Sequence, residues 1–385
     1  MIPYGRQEVT QDDIDAVVDV MKSNFLTQGP EVERFERAFA DAVQAQHAVA
    51  SNSATSSLHL AYLALGIGPG DMVWTPPISF VATANAARMC GADVDFVDVD
   101  PDTQCMCVDA LRIKLDAAKS SGTLPKLVVP VHFTGRSCDM AAIAALGHEY
   151  NFRIVEDAAH AIGAAYQSKP VGACEFSDIA VFSLHPVKII TTGEGGMATT
   201  NDADLASKMA TLRTHGVTRD PALVAGPPPG DWYYEQHELG FNYRMTDMQA
   251  ALGSSQIKRL SDYIQRRREI AARYDKMLVK LPLSRPPVET NDLSAWHLYV
   301  IRLTDDAPPR AEVFAELRKR GIGVQVHYIP VHTQPYYNDM GFGAGDMPVS
   351  EDYYERAISL PMFPTLTKAD QDTVVQTLSD ILTRG

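Results

Sequence analysis

The sequence predicts an α/β protein: a mainly parallel sheet with helices on both faces, followed by a smaller C-terminal α/β lobe. Three observations lead there. Apolar runs of strand length alternate with stretches of helical periodicity through the first half of the chain. Some of these runs, such as KLVVPVHF (126–133), are apolar without alternation, as expected of strands covered on both faces. The chain has 385 residues, too many for one ordinary core, and we expect a large domain over 1–253 and a small one over 254–385.

The elements follow in order. Residues 10–23 and 31–43 carry apolar side chains at helical spacing, the first behind the polar cap candidate Thr10. HAVASNSATSSLHLAYLALG reads as strand, polar turn and helix, with the helix starting near Ala54 to Ser57. Strands are expected at 72–77, 94–100, 126–133, 152–158, 179–185 and 195–200. Helices are expected in ISFVATANAARMCG, MAAIAALGHEYN and DLASKMATLRTHG. The proline-rich stretch 218–235 reads as a surface loop. From Ser254 a long helix bridges toward the second lobe. Its Arg266 to Arg268 run reads as a solvated face, with a basic patch as the alternative. In the final portion WHLYVIRL and GVQVHYIP read as strands and SEDYYERAISL contains a helix.

Composition narrows the function. Lysine and arginine number 34 and Asp and Glu 48, a net charge of −14, which argues against nucleic acid or an anionic membrane as the main partner. Five cysteines, an odd number in a long chain, argue against a disulfide framework and fit a reducing cytoplasm. Cys105 and Cys107 have no matching second pair, so no metal site is expected. No stretch reaches the length of an apolar membrane span.

Two residues stand out chemically. Asp157 ends the apolar run RIVED, and Lys188 lies between the run IAVFSLH and the glycines Gly193, Gly195 and Gly196. A lysine amine that bonds covalently to a carbonyl and a carboxylate that keeps a pyridine nitrogen protonated are the two needs of a pyridoxal phosphate enzyme. Ligands of such sheets lie beyond the carboxyl ends of the strands, where both residues fall. The plain alternatives are a solvated loop lysine and a helix-capping aspartate. Ser53, Thr55 and Ser56 at a helix start offer a phosphate cradle or simple capping. His327 reads equally as a substrate contact or a packed loop residue. Arg244 reads equally as an anion contact or a structural ion pair, and Trp232, Tyr233 and Tyr234 as a cover or a packing anchor.

The motifs EDAAHAIGA, FSLHPVKIITTGEGGMATT and GFNYRMTDMQAALG resemble those of the DegT/DnrJ/EryC1/StrS family of sugar-nucleotide aminotransferases. The likeness runs from NFLTQGPEVERFE to ISLPMFPTL. It implies a fold type I pyridoxal phosphate enzyme with a large domain built on a seven-stranded sheet. It also implies roles for individual residues. Lys188 matches the covalent anchor and Asp157 the partner of the ring nitrogen. His160 sits near the phenolic oxygen, where many members carry Gln, and Phe80 stacks on the ring. Ala54, Thr55 and Ser183 match the phosphate cradle. Asn242 reaches the cofactor phosphate of a neighbouring subunit, which implies a homodimer with shared sites. His185, Arg244, His327 and Tyr328 are the expected substrate contacts. SNSATSSLHLA, PPISFVATANAA and HPVK resemble the branch of the family that serves pseudaminic acid synthesis. The resemblance thus implies L-glutamate as donor and a UDP-linked 4-keto-6-deoxy-N-acetylhexosamine as acceptor. A dTDP- or GDP-linked keto sugar is the alternative, and a non-catalytic binding protein a more distant one.

Overall fold

A computed structural model describes residues 1–220, 223–287 and 293–383. Two positions of the proline-rich loop, 221 and 222, lie outside them.

Seven strands form the central sheet. Edge to edge they are His47–Ser51, Gly196–Thr200, Ile179–Ser183, Arg153–Asp157, Leu127–Val128, Met72–Thr75 and Asp93–Phe96. Gly196–Thr200 runs antiparallel to both neighbours, and the other four pairings are parallel. Ser51, Thr75, Asp157 and Ser183 therefore end their strands along one edge of the sheet. Gly196 begins its strand at the same edge, in register with Ser51 and Ser183. The sheet is mainly parallel, as its unalternated apolar runs predict. Val155, Ile179 and Val181 belong to one buried cluster while Ala180 and Phe182 belong to another, so both faces are covered.

The second lobe is built on a three-stranded antiparallel sheet of Leu283–Ser284, Tyr299–Leu303 and Ala357–Leu360. Its core includes Val313 and Leu317 of the helix Arg310–Lys319 and Val374 and Leu378 of the helix Lys368–Leu382. The helix Leu260–Met277 joins the two cores. Tyr263 and Ile264 pack with Phe35, Phe39 and Phe182, whereas Ile270, Ala271 and Tyr274 pack with Tyr299 and Ile301.

Two further ties bring this lobe to the sheet edge. The N-terminal segment lies along residues 321–323, with Ile2 N donating to Gly321 O at 2.8 Å and Gly323 N donating to Ile2 O at 2.6 Å. The carboxylate of Asp98 accepts from Val349 N at 2.9 Å and Ser350 N at 3.0 Å, at the start of the helix Pro348–Arg356. A carboxylate there complements the positive end of the helix dipole.

Several expectations need correction. GVQVHYIP is not a strand: it makes a single isolated bridge among the described residues, Gln325 to Ser359, and Ile322 just before it makes another to Ile2. The run 126–133 is a strand only at Leu127–Val128, with an isolated bridge from Val131 to Asp157. Pro130 between them lacks a backbone donor for the ladder. The strand expected at 94–100 is Asp93–Phe96. The helix expected from Ile78 starts only at Ala82, and residues 78–81 form a turn. Arg266 to Arg268 is neither a solvated face nor a basic patch. Arg267 is 1% exposed and donates to the carbonyls of Trp296, His297 and Met362, each at 3.2 Å. Arg266 donates to Pro364 O and Leu366 O, and Arg268 to Ser294 O. The arginine run is thus a clasp on small-lobe backbone. The helices Val108–Ser121 and Lys368–Leu382 were not foreseen.

Candidate active site

The strand Arg153–Asp157 delivers the buried Asp157 carboxylate to the sheet edge. Thr83 Oγ1 donates to its Oδ2 at 2.6 Å, and Ala159 N donates to its Oδ1 at 3.1 Å. Lys188 lies in the turn after the next strand, its N–H donating to His185 O at 2.9 Å. The side chain keeps some exposed surface, yet protein surrounds its amine enough for desolvation to lower its pKa to about 8. The Asp157 charge opposes that shift without cancelling it.

Four aromatic side chains close around the pair. His160 Nε2 lies 3.0 Å from Tyr328 Oη, with the rings stacked at 6.0 Å between centroids. The His297 ring lies 4.4 Å from that of His160. His327 Nδ1 lies 2.8 Å from Ser359 Oγ, and its carbonyl accepts from Tyr353 Oη at 2.9 Å. Tyr353 belongs to the helix that Asp98 caps, so the inter-lobe tie also fixes His327. Tyr4 reaches the same group, its ring 5.6 Å from that of His327.

The electrostatics agree with this convergence. Burial pushes His327 down to about 3, with the Lys188 charge adding to it. Burial also pushes His160 and His297 well below the usual histidine range. Lys188 and His327 act further on His160, and His160 and Lys188 on His297. Tyr328 is raised by burial and then by Asp157, so its hydroxyl stays protonated. The result is one cationic centre beside one carboxylate, walled by neutral imidazoles and a phenol.

The anion-binding side of the site is backbone. Ser53 caps the helix Ala54–Ala64, accepting from Ser56 N at 3.1 Å. The first intrahelical bond is Ser57 N to Ser53 O at 3.0 Å, which leaves the Ala54 and Thr55 amides at the positive end of the helix. Gly196 permits this approach. A Cβ there would lie 2.4 Å from Ser53 O and 2.6 Å from Ala54 N. Ser183 is paired with Gly196 across the ladder and so borders the same space.

The sequence-derived candidates thus fall into two groups. Lys188, Asp157, His160, His327 and Tyr328 meet at one point. Phe80, 60% exposed, lies 6.3 Å from Tyr328 between ring centroids, and Ala54, Thr55 and Ser183 form the adjoining backbone cradle. The others lie apart. His185 is exposed, 3.9 Å from Glu194. Arg244 lines a groove with Glu33, Glu36 and Arg213. Asn242 is exposed and makes no side-chain hydrogen bond among the described residues; its carbonyl accepts from Asn52 at 3.4 Å. Sequence reading missed Tyr4, Ser79, Thr83 and His297. Ser79 and Thr83 carried a usable signal, as hydroxyls in the motif PPISFVATANAA.

These residues suit pyridoxal phosphate. The buried Nδ1 of His160 has no partner among the described residues and remains able to meet the phenolic oxygen. Phe80 presents an open ring face, and the amides beside Gly196 offer donors to a phosphate.

Comparison with known proteins decides the family. The model of the DegT/DnrJ/EryC1/StrS aminotransferase family matches residues 7–379. The chain belongs to this family. It is therefore a sugar aminotransferase of a pyridoxal phosphate-dependent family with the fold type I architecture. Spore coat polysaccharide biosynthesis protein SpsC of Bacillus subtilis is 41% identical over 386 residues, 99% of this chain and 97% of that protein. UDP-4-amino-4,6-dideoxy-N-acetyl-beta-L-altrosamine transaminase of Campylobacter jejuni is 37% identical over 384 residues, 99% of this chain and 98% of the relative. Among solved structures, Helicobacter pylori PseC, described as an aminotransferase of pseudoaminic acid biosynthesis, superposes with a TM-score of 0.90 at 31% identity. It covers 99% of each chain. Among the described residues no helix is long and apolar enough to cross a membrane, and no cluster of three or more His, Cys, Asp or Glu is placed to hold a metal ion.

Proposed function

We propose that this family member moves the amino group of L-glutamate to C4 of a UDP-linked 4-keto-6-deoxy-N-acetylhexosamine, in pseudaminic acid synthesis. The observation that carries the catalytic part is the pairing of a Lys188 amine lowered to about 8, in the turn after the strand Ile179–Ser183, with the buried Asp157 carboxylate at the end of the neighbouring strand. The Campylobacter relative's name supports the substrate part, since its sugar carries nitrogen at C4 and lacks oxygen at C6.

Bound pyridoxal phosphate supplies an aldehyde carbon that accepts nitrogen and a protonated ring that withdraws electrons. The chain's own groups do the rest. Lys188 offers a neutral amine to that carbon and, once free of it, moves a proton from Cα of the donor and later to C4 of the sugar. Asp157 faces the ring nitrogen as its counter-ion. We read Tyr328, held as a phenol, as the donor to His160 Nε2, 3.0 Å away. That leaves the His160 hydrogen on Nδ1, free to donate to the phenolic oxygen. Phe80 covers one ring face, and the Ala54 and Thr55 amides with Ser183 hold the phosphate. His327 and Tyr328 border the acceptor sugar; Arg244 and His185 belong to its outer contacts.

Asn242 supports a homodimer with shared sites, because its side chain is exposed and makes no hydrogen bond among the described residues. Trp232, Tyr234 and Leu239 are 73%, 54% and 78% exposed in the same region and fit a face covered by a second copy.

A second reading follows from SpsC, which is more identical than the Campylobacter protein and is named for spore coat polysaccharide biosynthesis. The acceptor is then a different nucleotide-linked keto sugar. A panel of UDP-, dTDP- and GDP-linked 3-keto and 4-keto sugars, with glutamate as donor and product stereochemistry read by NMR, separates the two. A clearly higher kcat/KM on the UDP-linked 4-keto N-acetyl sugar supports the first reading. A better dTDP-, GDP- or 3-keto substrate overturns it.

A further inference from the structure

A chain of two hydroxyl groups ends on the Asp157 carboxylate. Thr83 Oγ1 lies 2.6 Å from Asp157 Oδ2, and Ser79 Oγ lies 2.6 Å from Thr83 Oγ1. Ser79, Thr83 and Asp157 are 3%, 1% and 5% exposed, so water does not compete for these contacts. Counting protons gives the chain a direction. An ionised carboxylate only accepts, so the single Thr83 proton sits between Thr83 and Asp157. The other acceptor in reach of Thr83 Oγ1, Phe80 O, is more distant at 3.3 Å. Thr83 Oγ1 is then left as acceptor toward Ser79, whose hydroxyl must donate. The order is Ser79 to Thr83 to Asp157. The Thr83 backbone is itself fixed, its carbonyl accepting from the buried Tyr62 Oη at 3.0 Å.

This arrangement links two functions through one short turn. Ser79 and Thr83 flank Phe80, which presents its ring to open space. The same backbone therefore carries the ring-covering side chain and the hydroxyls that orient the carboxylate. A carboxylate's terminal torsion is broad, so without such a partner it would swing. Among the described residues the only other hydrogen bond to its oxygens is the longer one from Ala159 N, at 3.1 Å.

We propose that Thr83, backed by Ser79, is a positioning residue that fixes the direction in which Asp157 presents its free acceptor positions to the cofactor's ring nitrogen. The proposal rests on the reading of Asp157 as that nitrogen's partner. Pre-orientation of this kind appears as binding free energy that a disordered carboxylate would forfeit.

The test uses the full-length apoenzyme and two ligands: pyridoxal phosphate, and its analogue with C–H in place of the ring nitrogen. Dissociation constants come from quenching of intrinsic fluorescence. Thr83→Val keeps the shape and removes the hydroxyl. It is expected to weaken pyridoxal phosphate on the order of tenfold, the scale of one hydrogen bond to a charged group. It should leave the analogue within about twofold, as expected of an uncoupled change. Thr83→Ser restores wild-type affinity, and Ser79→Ala gives a smaller loss confined to pyridoxal phosphate. Equal loss with both ligands, or no loss with either, overturns the proposal. If Thr83→Val does not fold, Ser79→Ala decides by the same comparison. Asp157→Asn is the separate control. If it leaves the preference for pyridoxal phosphate over the analogue unchanged, the assignment of Asp157 fails, whereas a changed preference there with unchanged Thr83→Val affinities sinks the positioning role alone.

Discussion

Gly196→Ala tests whether the helix start at Ala54 is the phosphate cradle. The added Cβ would lie 2.4 Å from Ser53 O, 2.5 Å from Ser53 C and 2.6 Å from Ala54 N. All three are backbone atoms, so no side chain can swing aside. Ordinary contact starts near 3.4 Å, so the turn and the helix start must retreat by about 1 Å, beyond which an amide hydrogen bond of normal length is lost. Overpacking of this kind costs about 1–3 kcal/mol of stability. Losing one amide donor to an anion costs a further ~1.5–3 kcal/mol of binding, or about ten- to a hundredfold in affinity. The assay compares pyridoxal phosphate with pyridoxal, which lacks the phosphate, on wild-type and variant apoenzyme. The variant should lose affinity for pyridoxal phosphate and little for pyridoxal. An equal loss for both would refute the reasoning and leave Gly196 a packing residue only.

Asp157→Asn should lower kcat by about 2 kcal/mol or more, the scale of one removed electrostatic partner; turnover near wild type removes Asp157 from the chemistry. The pH dependence follows from Lys188. Its folded pKa of about 8 lies below the usual lysine value of 10.5, so the neutral amine accumulates as pH rises through 8. The rate of covalent capture of pyridoxal phosphate by apoenzyme should therefore level off above about pH 8, and a rate still climbing to pH 10 contradicts this. By the same linkage the desolvated cation destabilises the fold below pH 8, and stability rises between 8 and 10.5, where the folded chain has shed the proton that the unfolded chain still holds. Mixing inactive Lys188→Ala subunits with inactive Asn242→Ala subunits should regain activity, since one site of the mixed dimer holds both groups intact; no regain, with mixed dimers shown by mass, counts against shared sites.

The sheet and its two principal residues were legible because each rests on local pattern. The run IAVFS is buried on both faces, and that alone forces apolar side chains along it; RIVED is mixed, with Ile154 and Val155 apolar and Glu156 buried against His132. Asp157 and Lys188 then stand out as charges where such runs stop. What escaped reading depends on partners far along the chain. Ser79 and Thr83 have small side chains compatible with a helix, and the acceptor that explains Thr83 is 74 positions away. Arg267 sits in a run of three arginines that reads as solvent-facing, although its spacing from Tyr263, Ile264, Ile270 and Tyr274 puts it on the buried face of the helix. Its partners are carbonyls at 296, 297 and 362, which no periodicity reveals. Tyr4 and His297 join the site only through the packing of the small lobe and the N-terminal segment against it. GVQVHYIP has the composition of a strand. Its backbone pairs at a single point instead, Gln325 with Ser359, which delivers His327 and Tyr328 to the site rather than to a ladder.

The central claim is that Lys188 is the residue to which the cofactor is bound. Borohydride reduction of the holoenzyme, followed by proteolysis and mass spectrometry of the peptides, tests it directly. The account predicts one phosphopyridoxyl group, on Lys188, and none in Lys188→Ala. A reduced adduct on any other lysine of the wild-type protein, or none on Lys188, would contradict it.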